Sequence, residues 1–587
     1  MVGYTLTTSQ RRWVSALLGL AAIGVGIWLL GKPFLSLENV PLLLLFTVLF
    51  LWIWRGAASH RAMIAAIAVV VAFGLVVSEF VAISLLIYGV IAWLLVRGVL
   101  GILTLRKRAW FSGIVGISLL LRALMAAYWL DLTSIVVGLL IGPALIIAGA
   151  VSLVHAWKPN LARLKSQNWM LVLGRIASVV LLIGVRAAAV GTGIAISKAP
   201  RIDDFADYSE PLGNEPGVLL AQEPFSRGMP DESVATRILY TTTGIDGEIT
   251  LATGLVILPE TAPSEPMPVV LWAHGTTGID VTCAPTALDD PLGAGAMMFP
   301  NEALSQGWAI VAPDYIGLGA SAPHPYLGGS PTAYSSLDAV RASRQLDSVS
   351  LSDQTVVWGH SQGGGTALWI GIEAPTYAPD VPLVGVAAMS PASDLPEFID
   401  TALSTLAGPL FGGFIIVGYA AAYDDVVVNH YIRPGARFSQ QQVSERCLSE
   451  PSVVVSIVSA LIREPFIQGD IGAGAFYDRL AENVPSSPIQ VPIFLGQGES
   501  DPLILPDVQA GYMQELCDAG EVVEYHTYPG LDHLGVVKAD SPMIPDLVSW
   551  TVARFNGDAP ASTCAQTSVF PVSGTPIALH NPMSASA

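Results

Sequence analysis

The spacing of apolar positions changes character near residue 200. Before it, long apolar runs occupy 13–30, 40–54, 62–78, 80–96, 109–130, 132–157 and 168–190, separated by short polar stretches. A helix rises ~1.5 Å per residue and needs ~20 residues to cross ~30 Å of hydrocarbon. The pattern therefore predicts an all-α transmembrane bundle of about seven spans, with the third and fourth and the fifth and sixth forming tight hairpins. Beyond residue 200 the runs shorten. Strand-like segments at 235–240, 248–258, 269–273, 309–312, 355–358 and 491–495 are interleaved with helical ones such as 334–346 and 365–373. That alternation predicts an α/β sheet covered on both faces.

These patterns divide the chain into a six-span membrane domain at 1–160, a seventh helix at 161–197, a Pro- and Gly-rich linker and domain entry at 198–233 and an α/β domain at 234–587. The linker contains "RIDDFADYSEPLGNEPG". Residues 391–487 are far more chain than one crossover needs, which predicts a helical cap. Within it "TALSTLAGPLFGGFIIVGYAAAY" is apolar enough to line a pocket, face a membrane or form a packed helical hairpin.

Charge sharpens the division. The chain carries 28 Lys and Arg against 47 Asp and Glu. Residues 1–200 hold sixteen of the basic side chains and three of the acidic ones, and the remainder carries a net charge of about −32. Assigning alternate loops to opposite sides collects eleven cations on one side, including Arg55, Arg97, Arg106 and Lys158, and leaves only Lys32 in the short loops of the other, with Glu38, Glu79 and Asp131. The positive-inside rule then places the N-terminus in the cytoplasm, and an odd number of spans places the acidic domain outside. Arg122, Arg175 and Arg186 fall inside apolar runs, where snorkelling or ion pairing accounts for them better than a transport pathway. The glycines at 19, 24 and 26 suit close helix packing. With 52% hydrophobic and 13% charged residues, the composition excludes a disordered chain, a coiled coil and an ordinary nucleic-acid binder. All four cysteines, Cys283, Cys447, Cys517 and Cys564, lie in the acidic half. That suggests disulfides outside the cytoplasm, with three pairings open.

The chemistry is carried by "VVWGHSQGGGTALWIG", where a strand runs through Gly359-His360-Ser361-Gln362-Gly363 into a helix. Small residues on either side let the chain bend sharply and project the Ser361 hydroxyl, the nucleophile elbow of α/β-hydrolases. A serine nucleophile needs a base, and the base an orienting carboxylate, in the order Ser, Asp or Glu, His. Asp501, after the strand in "VPIFLGQGESDPLILP", and His533, in "VVEYHTYPGLDHLG", complete the expected triad. Glu499 and Asp532 are the rival acids. His360 is expected to pack and His526 to be structural, while Asp314 and Tyr315 should fix a loop. Oxyanion donors are expected at the backbone N–H of Gln362 and in the segment Gly275, Thr276 and Thr277. No two histidines stand at a metal-ligand spacing, and serine hydrolysis needs no cofactor.

His274-Gly275-Thr276-Thr277-Gly278 with Cys283-Ala284-Pro285, Ala312-Pro313-Asp314-Tyr315 with Gly317-Leu318-Gly319, and Gly359-His360-Ser361-Gln362-Gly363-Gly364 together resemble the fungal-type secretory lipases and their actinobacterial relatives over about 206–560. The resemblance implies hydrolysis of carboxylic esters of acylglycerol type and a helical cap. It also implies a tie from Cys283 to Cys447, leaving Cys517 with Cys564. Residues 10–157, with a repeat ending at Trp54-Arg55-Gly56, Val96-Arg97-Gly98 and Ala148-Gly149-Ala150, and outer turns such as Gly31-Lys32-Pro33, resemble the HdeD-like acid-resistance membrane family. The expectation is a membrane-anchored, extracytoplasmic serine hydrolase acting on lipid esters, with membrane lipids around it and neither nucleic acid nor an obligate protein partner. The alternatives are an acyltransferase using the same triad and a membrane stress or scaffold protein whose hydrolase domain is inactive.

Overall fold

The computed structural model describes residues 8–38, 79–103, 130–157, four positions within 117–123, and 202–565 except 262, 321–322, 348, 405–407 and 450–465. The runs expected at 40–54, 62–78 and 168–190, most of 109–130, and Arg122, Arg175 and Arg186 lie outside the described residues. The chain divides into two compact units: Met1–Ala199 with Gly278–Asp280 and Ala402–Phe476, and Pro200–Thr277 with Val281–Thr401 and Tyr477–Ala587.

In the helical unit, three of the apolar runs are helices: α1 (Thr8–Trp28), α3 (Glu79–Leu103) and α4 (Leu130–Trp157), with the short α2 (Pro33–Glu38) after the first. Among the described residues one helical stretch, Ser134–Val154, is long and apolar enough to cross a membrane, and the apolar stretches Arg12–Trp28 and Leu86–Leu100 are shorter. Helices α1 and α4 meet backbone to backbone. A Cβ on Gly19 would strike the Gly149 carbonyl, and one on Gly26 the Gly142 carbonyl. The pairs run in opposite chain directions, so the helices are antiparallel, and absent side chains let them approach closely. Gly24 has open space and takes no part.

Most of the expected cap belongs to this unit rather than to the domain expected at 234–587. Arg433 clasps Glu38 through two hydrogen bonds of 2.6 and 2.8 Å, and the Gly435 N–H donates to the same carboxylate at 3.3 Å. Phe438, on the helix Arg437–Ser444, is buried with Leu37, Ile83, Ile87 and Ile91 and meets Tyr88 edge-on. The apolar stretch of the cap forms the helix Gly408–Ala422, on which Phe414, Ile415, Ile416 and Tyr419 are fully buried. That is the behaviour of a packed helix, the blandest of the three readings.

The second unit is built on a nine-stranded sheet: β1 (Leu219–Phe225), β2 (Ser233–Thr243), β3 (Ile249–Pro259), β4 (Met267–Ala273), β5 (Ala309–Pro313), β6 (Leu351–His360), β7 (Leu383–Met389), β8 (Ile493–Gly498) and β9 (Val523–Tyr528). Their order is β1-β2-β3-β5-β4-β6-β7-β8-β9, antiparallel as far as β5 and parallel beyond it. Strand residues alternate between two cores. Val269, Leu271 and Val357 pack on one face, Val270, Trp272, Val356 and Trp358 on the other, as a period of two requires. Both cores are closed by helices, as expected for a doubly covered sheet.

Two strands escape the sequence pattern. β1 lies inside the stretch read as linker, where its exposed edge position leaves only partly buried residues and so no clear apolar alternation. Phe205, Tyr208 and Leu212 pack in the same cluster as Leu220 and Ala221 of β1, so the stretch expected to be linker and domain entry is packed on the domain from Phe205 onward. β7 (LVGVAAM) is buried along most of its length and carries no alternation to mark it. The Cys517–Cys564 bond closes a separation of 47 residues, and none of the four cysteines is free.

Candidate active site

The parallel strands end together, with Ala273 paired to Gly359 and His360 to Met389. In open α/β sheets, ligands collect at this carboxyl edge. β6 stops at His360, and helix α5 (Gln362–Tyr377) starts immediately after a single residue, Ser361, at φ 58° and ψ −119°. A non-glycine residue there is strained. The surrounding glycines make the bend possible, because a Cβ on Gly359 would collide with the Gly363 carbonyl and one on Gly363 with the Ala273 carbonyl. The strain is held by backbone bonds: Ser361 N–H donates to Met389 O at 2.9 Å, and Ala392 N–H to Ser361 O at 3.0 Å.

Asp501 follows β8 and His533 follows β9. His533 Nδ1 stands 2.7 Å from Asp501 Oδ2, and Nε2 stands 2.9 Å from Ser361 Oγ. Asp501 is 3% exposed. Burial raises its pKa, but the hydrogen bond and charge of His533, with the N–H groups of Leu503 and Ile504, outweigh burial and leave the pKa lowered. An ionised Asp501 accepts from Nδ1–H and leaves the Nε2 lone pair facing the serine hydroxyl.

The rival groups are occupied elsewhere. Glu499 accepts from Thr527 at 2.9 Å, Asp532 from the Gly535 N–H at 2.7 Å, and His526 pairs with Glu524 at 2.9 Å. Asp314 accepts from Thr253, the Thr286 hydroxyl and the Thr286 N–H, fixing the loop after β5. His360 does more than pack. Its Nε2–H donates to the backbone carbonyl of His533 at 2.8 Å, and the two rings lie 4.7 Å apart. Burial, reinforced by the charge of His533, lowers the His360 pKa to about 3 and keeps it neutral.

Gln362 is the first residue of α5, where N–H groups have no intrahelical partner and form the positive end of the helix dipole. In the facing loop the Gly275 N–H is engaged with Gly295 O at 3.0 Å, leaving Thr276 and Thr277 as the expected donors. The Thr276 hydroxyl bonds Tyr326 at 2.8 Å, and Thr277 Oγ1 is buried without a protein partner. The Gln362 side-chain amide bonds His324 at 3.0 Å. The sequence reading missed His324 and Tyr326, which stand in a loop 38 and 50 residues from the groups they touch. No local spacing could have signalled them. Among the described residues, no cluster of three His, Cys, Asp or Glu side chains could hold a metal ion.

Residues 293–563 match the secretory lipase family. A probable inactive lipase of Mycobacterium tuberculosis is 27% identical over 393 residues, covering 61% of this chain and 83% of its own. Lipase A of Moesziomyces aphidis is 24% identical, covering 60% and 77%. A secreted triacylglycerol lipase of Malassezia globosa is 23% identical, covering 56% and 73%. The crystal structure of Candida antarctica lipase A superposes with a TM-score of 0.50 at 18% identity, covering 62% of this chain and 89% of that one, a likeness of fold. Residues 293–563 are thus similar to the secretory lipase family, on an α/β-hydrolase fold.

Proposed function

We propose that this protein is a membrane-anchored serine hydrolase that cleaves carboxylic esters of lipid or acylglycerol type. The observation that carries the reading is the unbroken Asp501–His533–Ser361 relay, with both links within 2.9 Å. Ser361 Oγ attacks the ester carbonyl carbon while His533 Nε2 takes its proton. The tetrahedral oxyanion is met by the Gln362 N–H and the Thr276–Thr277 loop. Collapse expels the alcohol, which leaves with the proton from His533, and forms the acyl-enzyme. Water, activated by the same imidazole, then releases the fatty acid and restores Ser361.

The helical unit supports anchoring with the hydrolase outside. Trp13, Leu17, Trp93 and Leu103 are each more than half exposed, a surface suited to hydrocarbon rather than water. The cap's Arg433 clasps Glu38, at the end of α2, in the stretch that the positive-inside count assigns to the outer side. The multi-span arrangement and the HdeD-like kinship belong to this reading.

A second reading, an inactive hydrolase domain, is favoured by the name of the mycobacterial relative. The relay distances weigh against it here. An acyltransferase would use the same triad with an alcohol in place of water. The deciding experiment exposes membranes to a fluorophosphonate and to p-nitrophenyl esters of increasing chain length, comparing the native chain with Ser361→Ala. Labelling and turnover that both vanish in the variant support the hydrolase. Absence of serine-dependent labelling sinks it, and turnover that requires an added alcohol identifies a transferase.

A further inference from the structure

We propose that His324 and Tyr326, on the turn between β5 and the helix Gly329–Ser343, are positioning residues that brace the two sides of the oxyanion site, His324 through the Gln362 side chain and Tyr326 through the Thr276 hydroxyl. The proposal rests on the serine-hydrolase reading, and specifically on Gln362 and Thr276 flanking the oxyanion.

Tautomer logic sets the direction of the first contact. His324 Nδ1 lies 2.9 Å from the Ile316 carbonyl, which can only accept, so Nδ1 carries the hydrogen and Nε2 presents a lone pair. The Gln362 Nε2 amide, 3.0 Å away, donates into that lone pair. Protonation of His324 would abolish the acceptor. Burial lowers the His324 pKa to about 3, which keeps the acceptor available throughout the working range. The side chain of Gln362 is therefore tied at one point, while its backbone N–H sits one residue beyond the strained Ser361.

The second contact mirrors the first across the site. Tyr326 OH lies 2.8 Å from Thr276 Oγ1, and burial raises the phenol pKa, so it stays protonated and able to donate. Both Tyr326 and His324 are almost fully buried, at 1% and 3% exposure. The turn that carries them is itself fixed. Tyr326 N–H donates to the His324 carbonyl at 2.9 Å, Gly328 N–H to the Pro325 carbonyl at 2.6 Å, and Gly329 N–H to the Asn483 side chain at 2.8 Å. Gly317, at φ 82°, lets the backbone of His324 lie against it, where a Cβ would collide. One rigid turn thus holds a residue on each of two segments that come from distant parts of the chain. Oxyanion donors act only when aimed at where charge develops, and small displacements are costly. A shared brace keeps their separation constant.

The test uses the full chain in detergent, with turnover of p-nitrophenyl butyrate scaled to active sites titrated by fluorophosphonate. It adds inhibition by an alkyl trifluoromethyl ketone, whose serine hemiketal carries the oxyanion. Tyr326→Phe and His324→Leu should each lower kcat about tenfold with KM within twofold, and weaken the ketone by a similar factor. Tyr326→Phe combined with Thr276→Val should cost no more than the worse single change. His324→Gln, whose side-chain carbonyl can accept from Gln362, should recover most of the loss. The proposal is overturned if both single variants keep native kcat and ketone affinity, if only KM moves, or if the loss disappears once inactive protein is titrated out. Should His324→Leu not fold, Tyr326→Phe, which removes one oxygen, decides alone. If Ser361→Ala itself leaves turnover intact, the hydrolase reading fails. If it abolishes turnover while the brace variants behave as native, the brace alone fails.

Discussion

The two units leave very different shares of their apolar side chains exposed. Among the described residues, nineteen of the large hydrophobic side chains left exposed lie between Trp13 and Val154, and six lie in all the rest. The sheet unit hides Trp272, Trp358, Phe299 and Phe494 completely and relies on water to drive that burial. In the helical unit, tight contact comes from glycine against glycine, at 19 with 149 and 26 with 142, which gains little from the hydrophobic effect and much from close approach of the two backbones. The difference teaches that polar detail is used differently. The sheet unit concentrates it at one edge as chemistry. The helical unit uses it sparingly, as the Glu38–Arg433 clasp.

That contrast can be broken most decisively at the catalytic edge. Asp501→Asn should preserve the fold and lower kcat by about 10³- to 10⁴-fold, because the imidazole loses the partner that fixes its tautomer. A loss below tenfold, measured per titrated site, would mean another acid serves His533. Next in size is the Cys517–Cys564 bond. Closing 47 residues is worth up to about 4 kcal/mol in the chain-entropy model. Cys517→Ser with Cys564→Ser should lower the midpoint of unfolding of the sheet unit while the exchange protection of α1 and α4 stays native. Equal loss in both units would show that they unfold as one.

Gly149→Leu reverses the experiment. It forces α4 away from α1, at about 1–3 kcal/mol, and should loosen the helical unit in hydrogen exchange while kcat in detergent is unchanged. Glu38→Gln should cost about 2 kcal/mol by removing the carboxylate charge that Arg433 clasps, and should show as faster proteolysis around 428–444. The remaining effect is graded with pH. His324 and His360 are held neutral in the fold, with pKa lowered to about 3 from an ordinary value of 6.5. The unfolded chain therefore binds more protons between those values. Their contribution is intact above about pH 6.5 and erodes as the pH falls toward 3, by up to about 1.4 kcal/mol per pH unit for each. Urea midpoints of the sheet unit that stay flat between pH 6.5 and 4 would contradict it.

Much of the site was legible because its parts sit beside readable local patterns. The elbow announces itself through glycines two residues either side of Ser361, and Asp501 and His533 each follow a strand. Chain order admits Glu499 and Asp532 as well; Glu499 falls early in the turn and Asp532 adjoins the base, and the geometry places only Asp501 on His533 Nδ1. What was illegible has physical causes. β1 is an edge strand that buries little, β7 is buried without alternation, and residues 402–476 group with the helices through contacts nearly 400 positions apart in sequence, such as Glu38 with Arg433.

By itself the sequence determined where apolar runs lengthen and shorten, the separation of charge, the two-faced strands and the bend at Ser361, since each depends on neighbours within a few positions. Tertiary structure decided that His360 holds the carbonyl of His533, that His324 and Tyr326 reach Gln362 and Thr276, and that the cap segment at 433–438 meets the helices. Those contacts arise when separate segments are packed together, and hydrogen bonds of 2.6–3.0 Å between them leave no periodic trace in the chain.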